Sequence, residues 1–198
     1  MVEHKGLPIL GFATPRSWNA WLDKNEKSSP GLWLKFAKKG TDAKCIGKAA
    51  AIEIALAHGW IDGQLDKYDE SFWLVRFTRR GRNSKWSKAN CATATKLIEQ
   101  KRMKPSGLSE VELAKADGRW TAAYASQGKA VAPDDFVAAL KGKPKAQAYF
   151  ATLKAGERYS FLYRVNTAKT AKTRGALIEK FVAMLARGET IHGAKKRG

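Results

Sequence analysis

The stretch Trp60–Phe77, WIDGQLDKYDESFWLVRF, decides the fold class. Two runs rich in aromatic and branched residues, Trp60–Lys67 and Ser71–Phe77, flank the polar turn Tyr68–Glu70. This pattern is typical of two antiparallel strands joined by a short turn. The alternating, aromatic-rich run Leu32–Ala37 predicts a further strand. We therefore expect a small, mostly antiparallel sheet of three or four strands near the N-terminus, counting a short strand at Leu7–Ala13.

Helical signals surround this sheet. Thr14 and Pro15 form a helix start, with Thr as N-cap and Pro at the first helical position. A second helix, Lys48–His58, precedes Gly59, which fits a left-handed C-terminal cap. Beyond residue 84 the pattern is helical, with one helix ending at Pro105 and a short one at Trp120–Ser126. The fold class is thus α+β, with a predominantly helical C-terminal half.

The pattern predicts one compact unit over residues 1–188. Its sheet-containing part covers 1–80 and its helical part covers 84–188, and a flexible basic tail follows at 189–198. No hydrophobic run approaches the length of a membrane span, and the first residues lack the apolar core of a signal peptide. We therefore expect a cytoplasmic location.

The charge of the chain is strongly positive. Lys and Arg number 37 against 18 acidic residues, which gives a net charge of +19. The excess concentrates in residues 76–104 and in the C-terminal helices. A field of this sign attracts polyanions without specifying one. It fits a nucleic-acid partner bound through those two regions, and it fits equally a basic surface that serves solubility.

Most sequence-readable chemistries are missing. Neither a phosphate-binding Gly-rich loop, nor a zinc motif, nor a nucleophile elbow occurs in the chain. Cys45 and Cys91 are far apart in sequence, which favours two reduced thiols. The sequence therefore predicts no cofactor and no metal, and it names no catalytic residue.

Three polar and aromatic clusters stand out, and together they predict a pocket for an anionic small ligand. The arginines of the basic loop Arg79–Ser84 follow a strand and precede a helix start, where free N–H groups favour an anion. Each cluster also has a structural interpretation, as a helix-end histidine, core tryptophans or a turn ion pair. An enzyme with His58 or Asp62 as base is a third alternative. The candidate ligand-binding residues are His58, Trp60, Asp62, Arg80, Ser84, Trp86, Asp117 and Arg119.

A series of short motifs resembles the YdeI/OmpD-associated, or bacteriocin-protection, family. The motifs span about residues 12–188 in the family's order, with Arg79 standing where the family usually has Pro. They are A-L-x-x-G-W-I-D-G at 55–63, F-T-x-R at 77–80, S-x-W-S-x-x-N at 84–90, G-L at 107–108, A-x-x-D-G-R-W at 114–120, V-x-P-D-D at 131–135 and A-K-x-x-x-T-R at 168–174.

The resemblance implies a role in stress or in resistance to bacteriocins and cationic antimicrobial peptides. It implies no reaction and supplies no catalytic set. A protein of charge +19 repels cationic peptides, so trapping them by charge is not the expected route.

Overall fold

The computed structural model describes residues 2–192, which divide into two compact units. The first unit comprises residues 2–86 and 90–121, and the second comprises 87–89 and 122–192. The expectation of one compact unit over 1–188 stays a prediction, and most of the predicted tail lies outside the described residues. Within residues 2–192, none of the helices is both long and apolar enough to cross a membrane.

The first unit contains a five-stranded sheet of order β1-β2-β3-β5-β4. Its only parallel pair among the described strands joins β2 to β3, so the sheet is mixed. The α+β class is confirmed, with one strand more than expected. The strands are β1 (Glu3–His4), β2 (Leu7–Leu10), β3 (Leu32–Ala37), β4 (Trp60–Lys67) and β5 (Phe72–Arg79).

The extra strand, β1, is only two residues long and carries no strand signal of its own. It forms because Lys5 and Gly6 both adopt positive φ angles, 49° and 74°, which turn the chain tightly back onto β2. A lysine in that conformation is uncommon, and the Lys-Gly pair is not one of the usual turn pairs, so the hairpin escaped the sequence analysis.

Four helices accompany the sheet: α1 (Pro15–Asn25), α2 (Lys48–Ala57), α3 (Lys88–Glu99) and α4 (Pro105–Ala116). Thr14 caps α1 as predicted, since its side chain accepts a hydrogen bond from the Ser17 backbone at 3.1 Å. Pro105 begins α4, whereas the sequence pattern predicts that a helix ends there. The fixed φ of proline suits a first helical position equally well. The core between sheet and helices includes Trp18, Leu34 and Phe77.

Two glycines allow α4 to start very close to the end of α2. Gly59 has a φ of 71°, as the predicted left-handed cap requires. A Cβ atom on Gly107 would lie 2.2 Å from the Ala57 carbonyl oxygen. The Lys104 backbone also donates to that oxygen at 3.0 Å. Side chains of three helices meet at this junction, and they form part of the site described below.

The second unit is helical, with a core that includes Phe136, Phe161 and Phe181. Its helices are α5 (Asp134–Lys141), α6 (Pro144–Thr152), α7 (Ala155–Asn166) and α8 (Ala171–Ala186). The short helix expected at Trp120–Ser126 is absent, and that prediction was wrong. Tyr124 instead pairs with Ser87 in a parallel bridge, and its carbonyl accepts from the Lys88 backbone at 2.8 Å.

Candidate functional site

Five of the eight predicted site residues come together in the first unit, around a row in which two rings lie between two cations. The Arg80 guanidinium lies 3.8 Å from the centre of the Trp86 ring. The Trp86 and Trp120 rings are 5.0 Å apart, and the Lys115 ammonium lies 5.4 Å from the Trp120 ring. Because Arg80 and Trp86 are buried, this cation–aromatic stack (Arg80, Trp86, Trp120, Lys115) packs the unit and offers no open platform to a base.

Arg119 and Asp117 bind each other and the loop before α3. The Arg119 Nε donates to both Asp117 carboxylate oxygens, at 2.9 and 2.7 Å, and Nη1 donates to the Ser84 carbonyl at 3.2 Å. Desolvation raises the pKa of the Asp117 carboxyl, but the hydrogen bonds and charge of Arg119 outweigh it and hold the pKa below its ordinary value. Arg119 thus serves as a clamp between the end of α4 and the loop at Ser84.

His58 lies at the centre of a chain of polar contacts. Its Nδ1 lies 2.5 Å from Glu26 Oε2, and its Nε2 lies 3.1 Å from Asn19 Oδ1. Ser106 Oγ donates to the same Glu26 oxygen at 3.1 Å. The His58 side chain is fully buried, with both ring nitrogens engaged, so it offers no open nitrogen to act as a base.

The series of polar contacts continues from Asn19 toward the surface. Asn19 Nδ2 donates to Asp23 Oδ2 at 2.7 Å, and Lys104 Nζ donates to Asp23 Oδ1 at 2.7 Å. The hydrogen bond from Lys104 is the main cause that lowers the pKa of the Asp23 carboxyl. We name the six residues Ser106, Glu26, His58, Asn19, Asp23 and Lys104 the histidine chain.

Two further predicted residues lie apart from the stack. Trp60 is buried in the core beside Trp21 and donates from Nε1 to the Glu26 carbonyl at 3.3 Å. Asp62 is half-exposed on β4, opposite Phe77, and His58 pairs with Glu26 instead of with it. Among the described residues, His58 and Asp62 form no hydrogen bond or ion pair with each other, and an enzyme with either of them as base stays a prediction.

A pocket of about 380 Å³ opens where the histidine chain reaches the surface. Arg102 binds Glu53 at 2.6 Å and Lys104 binds Asp23, while Lys101 has no acidic partner within ion-pair distance among residues 2–192. The pocket therefore carries an excess of positive charge. We call it the basic pocket; its lining residues are Asn19, Glu53, Ile54, Ala57, Leu97, Lys101, Arg102, Met103 and Lys104.

Lys101 holds an unusual backbone conformation at the rim of this pocket. Its φ is 56°, and it stands one position past the C-cap of α3. The Lys101 backbone donates to Ile98 and the Arg102 backbone to Leu97, at 2.9 and 2.8 Å, which closes the helix end. Glycine is usual at this position, and a residue with a Cβ costs about 1 kcal/mol there. Gly188 occupies the same position after α8, with a φ of 73°.

The sequence predicts His58 as a site residue, but it predicts neither the partners of His58 nor the residues that line the basic pocket. Lys101, Arg102 and Lys104 stand inside the basic run 76–104, yet nothing in the pattern separates them from a solvated face. Asn19, Glu26 and Ser106 gave no signal, because they meet His58 only through the packing of three helices. In the basic segment at the end of β5, Arg79 and Arg82 are exposed whereas Arg80 is buried, and Arg79 donates to the Lys27 carbonyl at 3.3 Å.

The second unit has its own ion pair and groove. Arg174 binds both carboxylate oxygens of Asp135, at 2.5 and 2.8 Å, and also the Val165 carbonyl at 2.9 Å. Its guanidinium is thereby committed to the packing of this unit. A separate groove of about 660 Å³ is lined mainly by small and branched apolar residues of α8, among them Ile178 and Val182.

Family models match both units. Residues 10–110, about half of the chain, match a domain of unknown function (DUF8412), and residues 129–188 match the family described as Bacteriocin-protection, YdeI or OmpD-Associated. The chain belongs to the DUF8412 family, and its YdeI/OmpD-associated match is confined to residues 129–188. The YdeI/OmpD-associated match lies within the second unit, and the DUF8412 match lies in the first unit apart from residues 87–89. No curated protein and no solved structure gives a significant match.

These boundaries refine the resemblance seen in the motifs. The motifs at 131–135 and 168–174 fall inside the YdeI/OmpD-associated match and include Asp135 and Arg174 of the ion pair. The motifs between residues 55 and 108 fall inside the DUF8412 match. The histidine chain and the basic pocket thus lie in the part of the chain that matches DUF8412, outside the YdeI/OmpD-associated match.

Proposed function

We propose that this protein binds a small anionic ligand in the basic pocket. The observation that carries the proposal is that Lys101, Arg102 and Lys104 line one pocket of about 380 Å³, in which two carboxylates offset only two of the three cations. Pockets for small ligands usually have volumes of about 300 to 1,000 Å³, so this pocket suits a compact molecule. Its apolar wall, with Ile54, Leu97 and Met103, can pack against the body of such a ligand.

The backbone of Lys101 supports the proposal. A left-handed lysine is less stable than a glycine would be at the same helix end, as at Gly188. Residues that hold such conformations cluster at binding sites, where the side chain serves a purpose that offsets the strain. For Lys101, we infer that this purpose is to place an ammonium group at the rim of the positively charged pocket.

The predicted ligand-binding residues contribute to this proposal unequally. His58 supports the pocket through Asn19, and Trp60 supports it through the Glu26 backbone. Arg80, Ser84, Trp86, Asp117 and Arg119 are engaged with one another in the stack and the clamp. A ligand site at those five residues stays a prediction, which mutation of Arg119 would test.

A thermal-shift screen tests the proposal. The full chain would be heated with inorganic phosphate, pyrophosphate, citrate and mononucleotides at low and at high salt, since a ligand that binds only the folded state raises the melting temperature. We expect one class of small anion to stabilise the chain at both salt concentrations. Shifts with every polyanion that vanish at high salt, or no shift at all, would contradict a specific pocket.

The matched variants are Lys101→Ala and Lys96→Ala. Each removes one exposed positive charge from the α3 region, but only Lys101 lines the pocket. We expect Lys101→Ala to weaken binding by about tenfold, the loss of one charge-assisted hydrogen bond. Lys96→Ala should bind like the wild type, and equal losses in both variants would mean that only the overall charge matters.

A second candidate is a nucleic-acid-associated role. Of the ten basic side chains in residues 76–104, eight are exposed, which suits contact with phosphates: Arg76, Arg79, Arg82, Lys85, Lys88, Lys96, Lys101 and Arg102. The logarithm of such an affinity falls linearly with the logarithm of salt concentration. Fluorescence anisotropy with labelled single- and double-stranded DNA would measure that slope, and absence of binding at low salt would exclude the role.

A further inference from the structure

The side-chain amide of Asn19 lies between the histidine chain and the basic pocket, and its orientation is fixed by two neighbours. Its Nδ2 lies 2.7 Å from Asp23 Oδ2, and its Oδ1 lies 3.1 Å from His58 Nε2. A reversed amide would point its oxygen at the Asp23 carboxylate, where two acceptors would repel each other. Asp23 therefore requires the N–H side of the amide, which leaves the oxygen to His58.

This orientation determines the protons on His58. Because Asn19 presents an oxygen, the Nε2 atom must carry a hydrogen to donate to it. At the other side of the ring, an ionised Glu26 carboxylate can only accept, as it does from Ser106, so Nδ1 donates to it as well. A ring that donates from both nitrogens is the imidazolium form. The charged groups around it are Glu26, Asp23 and Lys104, and Asp23 Oδ1 lies 3.9 Å from Nε2.

The remaining hydrogen of Asn19 is the part that a ligand can use. The Nδ2 atom has two hydrogens, and Asp23 is its one acceptor among the described residues. The second hydrogen is thus available on a side chain that lines the pocket. One lone pair of the amide oxygen binds His58, and the remaining N–H is the contact that Asn19 offers to an anion.

We infer that Asn19 is a specificity-determining residue of the basic pocket, and that the protonated His58 acts as a positioning residue that holds its N–H donor available to the ligand. The inference rests on the proposed function and deepens it. A pocket lined by Lys101, Arg102, Lys104 and the N–H donor of Asn19 favours oxygen-rich anions, such as phosphate or pyrophosphate, over ligands that bring their own donors.

Two measurements test this inference on the full-length chain. Nitrogen-15 NMR of the His58 imidazole at neutral pH should show a proton on both ring nitrogens. An unprotonated Nε2 would overturn the inference, because the Asn19 amide would then be free to turn its donor toward the ring. This measurement does not depend on any ligand.

The second measurement is the affinity of pyrophosphate for the wild type, Asn19→Ala, Asn19→Asp and Lys101→Ala. Loss of the Asn19 donor should weaken binding about tenfold in Asn19→Ala, which is one hydrogen bond to a charged group. Asn19→Asp keeps an acceptor for His58 but replaces the donor with a charge, and it should weaken binding at least tenfold; the melting temperature of each variant separates a folding defect from a lost ligand contact. If the wild type does not bind at all, the proposed function fails; if Lys101→Ala weakens binding and both Asn19 variants bind normally, this inference fails alone.

Discussion

The Nδ1 atom of His58 lies 2.5 Å from the Oε2 atom of Glu26. Glu26 follows the end of α1, His58 caps the end of α2, and Ser106, which shares the same carboxylate oxygen, stands in the first turn of α4. One carboxylate thereby joins three helix ends in the first unit. A helix end by itself favours any cation near its terminal carbonyls. The contact with Glu26 explains why the residue at this helix end is a histidine.

Removal of that carboxylate should be strongly destabilising. In Glu26→Ala the buried imidazole loses its partner, and breaking a buried pair in this way costs about 3 kcal/mol of unfolding free energy. Denaturation with urea would measure it. The matched variant Glu53→Ala breaks the exposed pair with Arg102 and should cost less than about 1 kcal/mol. Similar losses in both variants would show that the His58 contact has no special weight.

The two left-handed helix caps should respond in opposite directions. Lys101→Gly relieves backbone strain and should stabilise the chain by about 1 kcal/mol, whereas Gly188→Ala introduces the same strain and should destabilise by a similar amount. Lys101→Gly should also bind pyrophosphate more weakly than the wild type. A variant that is more stable and yet binds less would separate the ligand contact from the fold.

The close approach of α4 to α2 depends on Gly107. An added methyl group would lie 2.2 Å from the Ala57 carbonyl oxygen, so Gly107→Ala must push the two helices apart. We expect a loss of about 3 kcal/mol, at the upper end of overpacking effects. Gly128, whose Cβ position is open, provides the comparison, and Gly128→Ala should change the midpoint of unfolding little. A stable Gly107→Ala variant would contradict this packing.

Acid should weaken the second unit through Asp135. The hydrogen bond from Arg174 is the main cause that lowers the pKa of this carboxyl. A depressed pKa in the folded state contributes stability that is present at neutral pH and is lost as the pH falls below about 4. Asp135→Asn should remove about 1 kcal/mol at pH 7, given the partial exposure of the pair, and should flatten the acid limb. An unchanged acid limb in denaturation curves would contradict this role.

Much of the fold could be predicted from local patterns. The bounds of β3 and β4, the Thr14 cap and the left-handed Gly59 all follow from alternation, capping and turn chemistry, which act within a few residues. The β1 hairpin could not, because it depends on an uncommon left-handed lysine at residue 5. The segment after Trp120 could not, because Tyr124 pairs with Ser87, which is distant in sequence. The same reason limits site prediction.

The site shows this limit residue by residue. His58 was recognisable because it stands beside a glycine at a helix end. Its partners, Asn19 on α1 and Glu26 at the C-cap of α1, are partly exposed, and a polar residue is the ordinary occupant of such positions. Lys101 was visible as a charge, but its positive φ is a property of the helix end that its letter does not reveal. A pocket made by side chains from several helices is readable only after those helices are packed.

Calorimetric titration of pyrophosphate into the wild type, Lys101→Ala and Lys96→Ala at high salt tests the central claim most directly. High salt screens the general attraction of a chain with net charge +19, so that the heat reports the pocket. The account predicts saturable binding at one site in the wild type and in Lys96→Ala, with about tenfold weaker binding in Lys101→Ala. Absence of saturable heat in the wild type, or equal affinities in all three proteins, would contradict it.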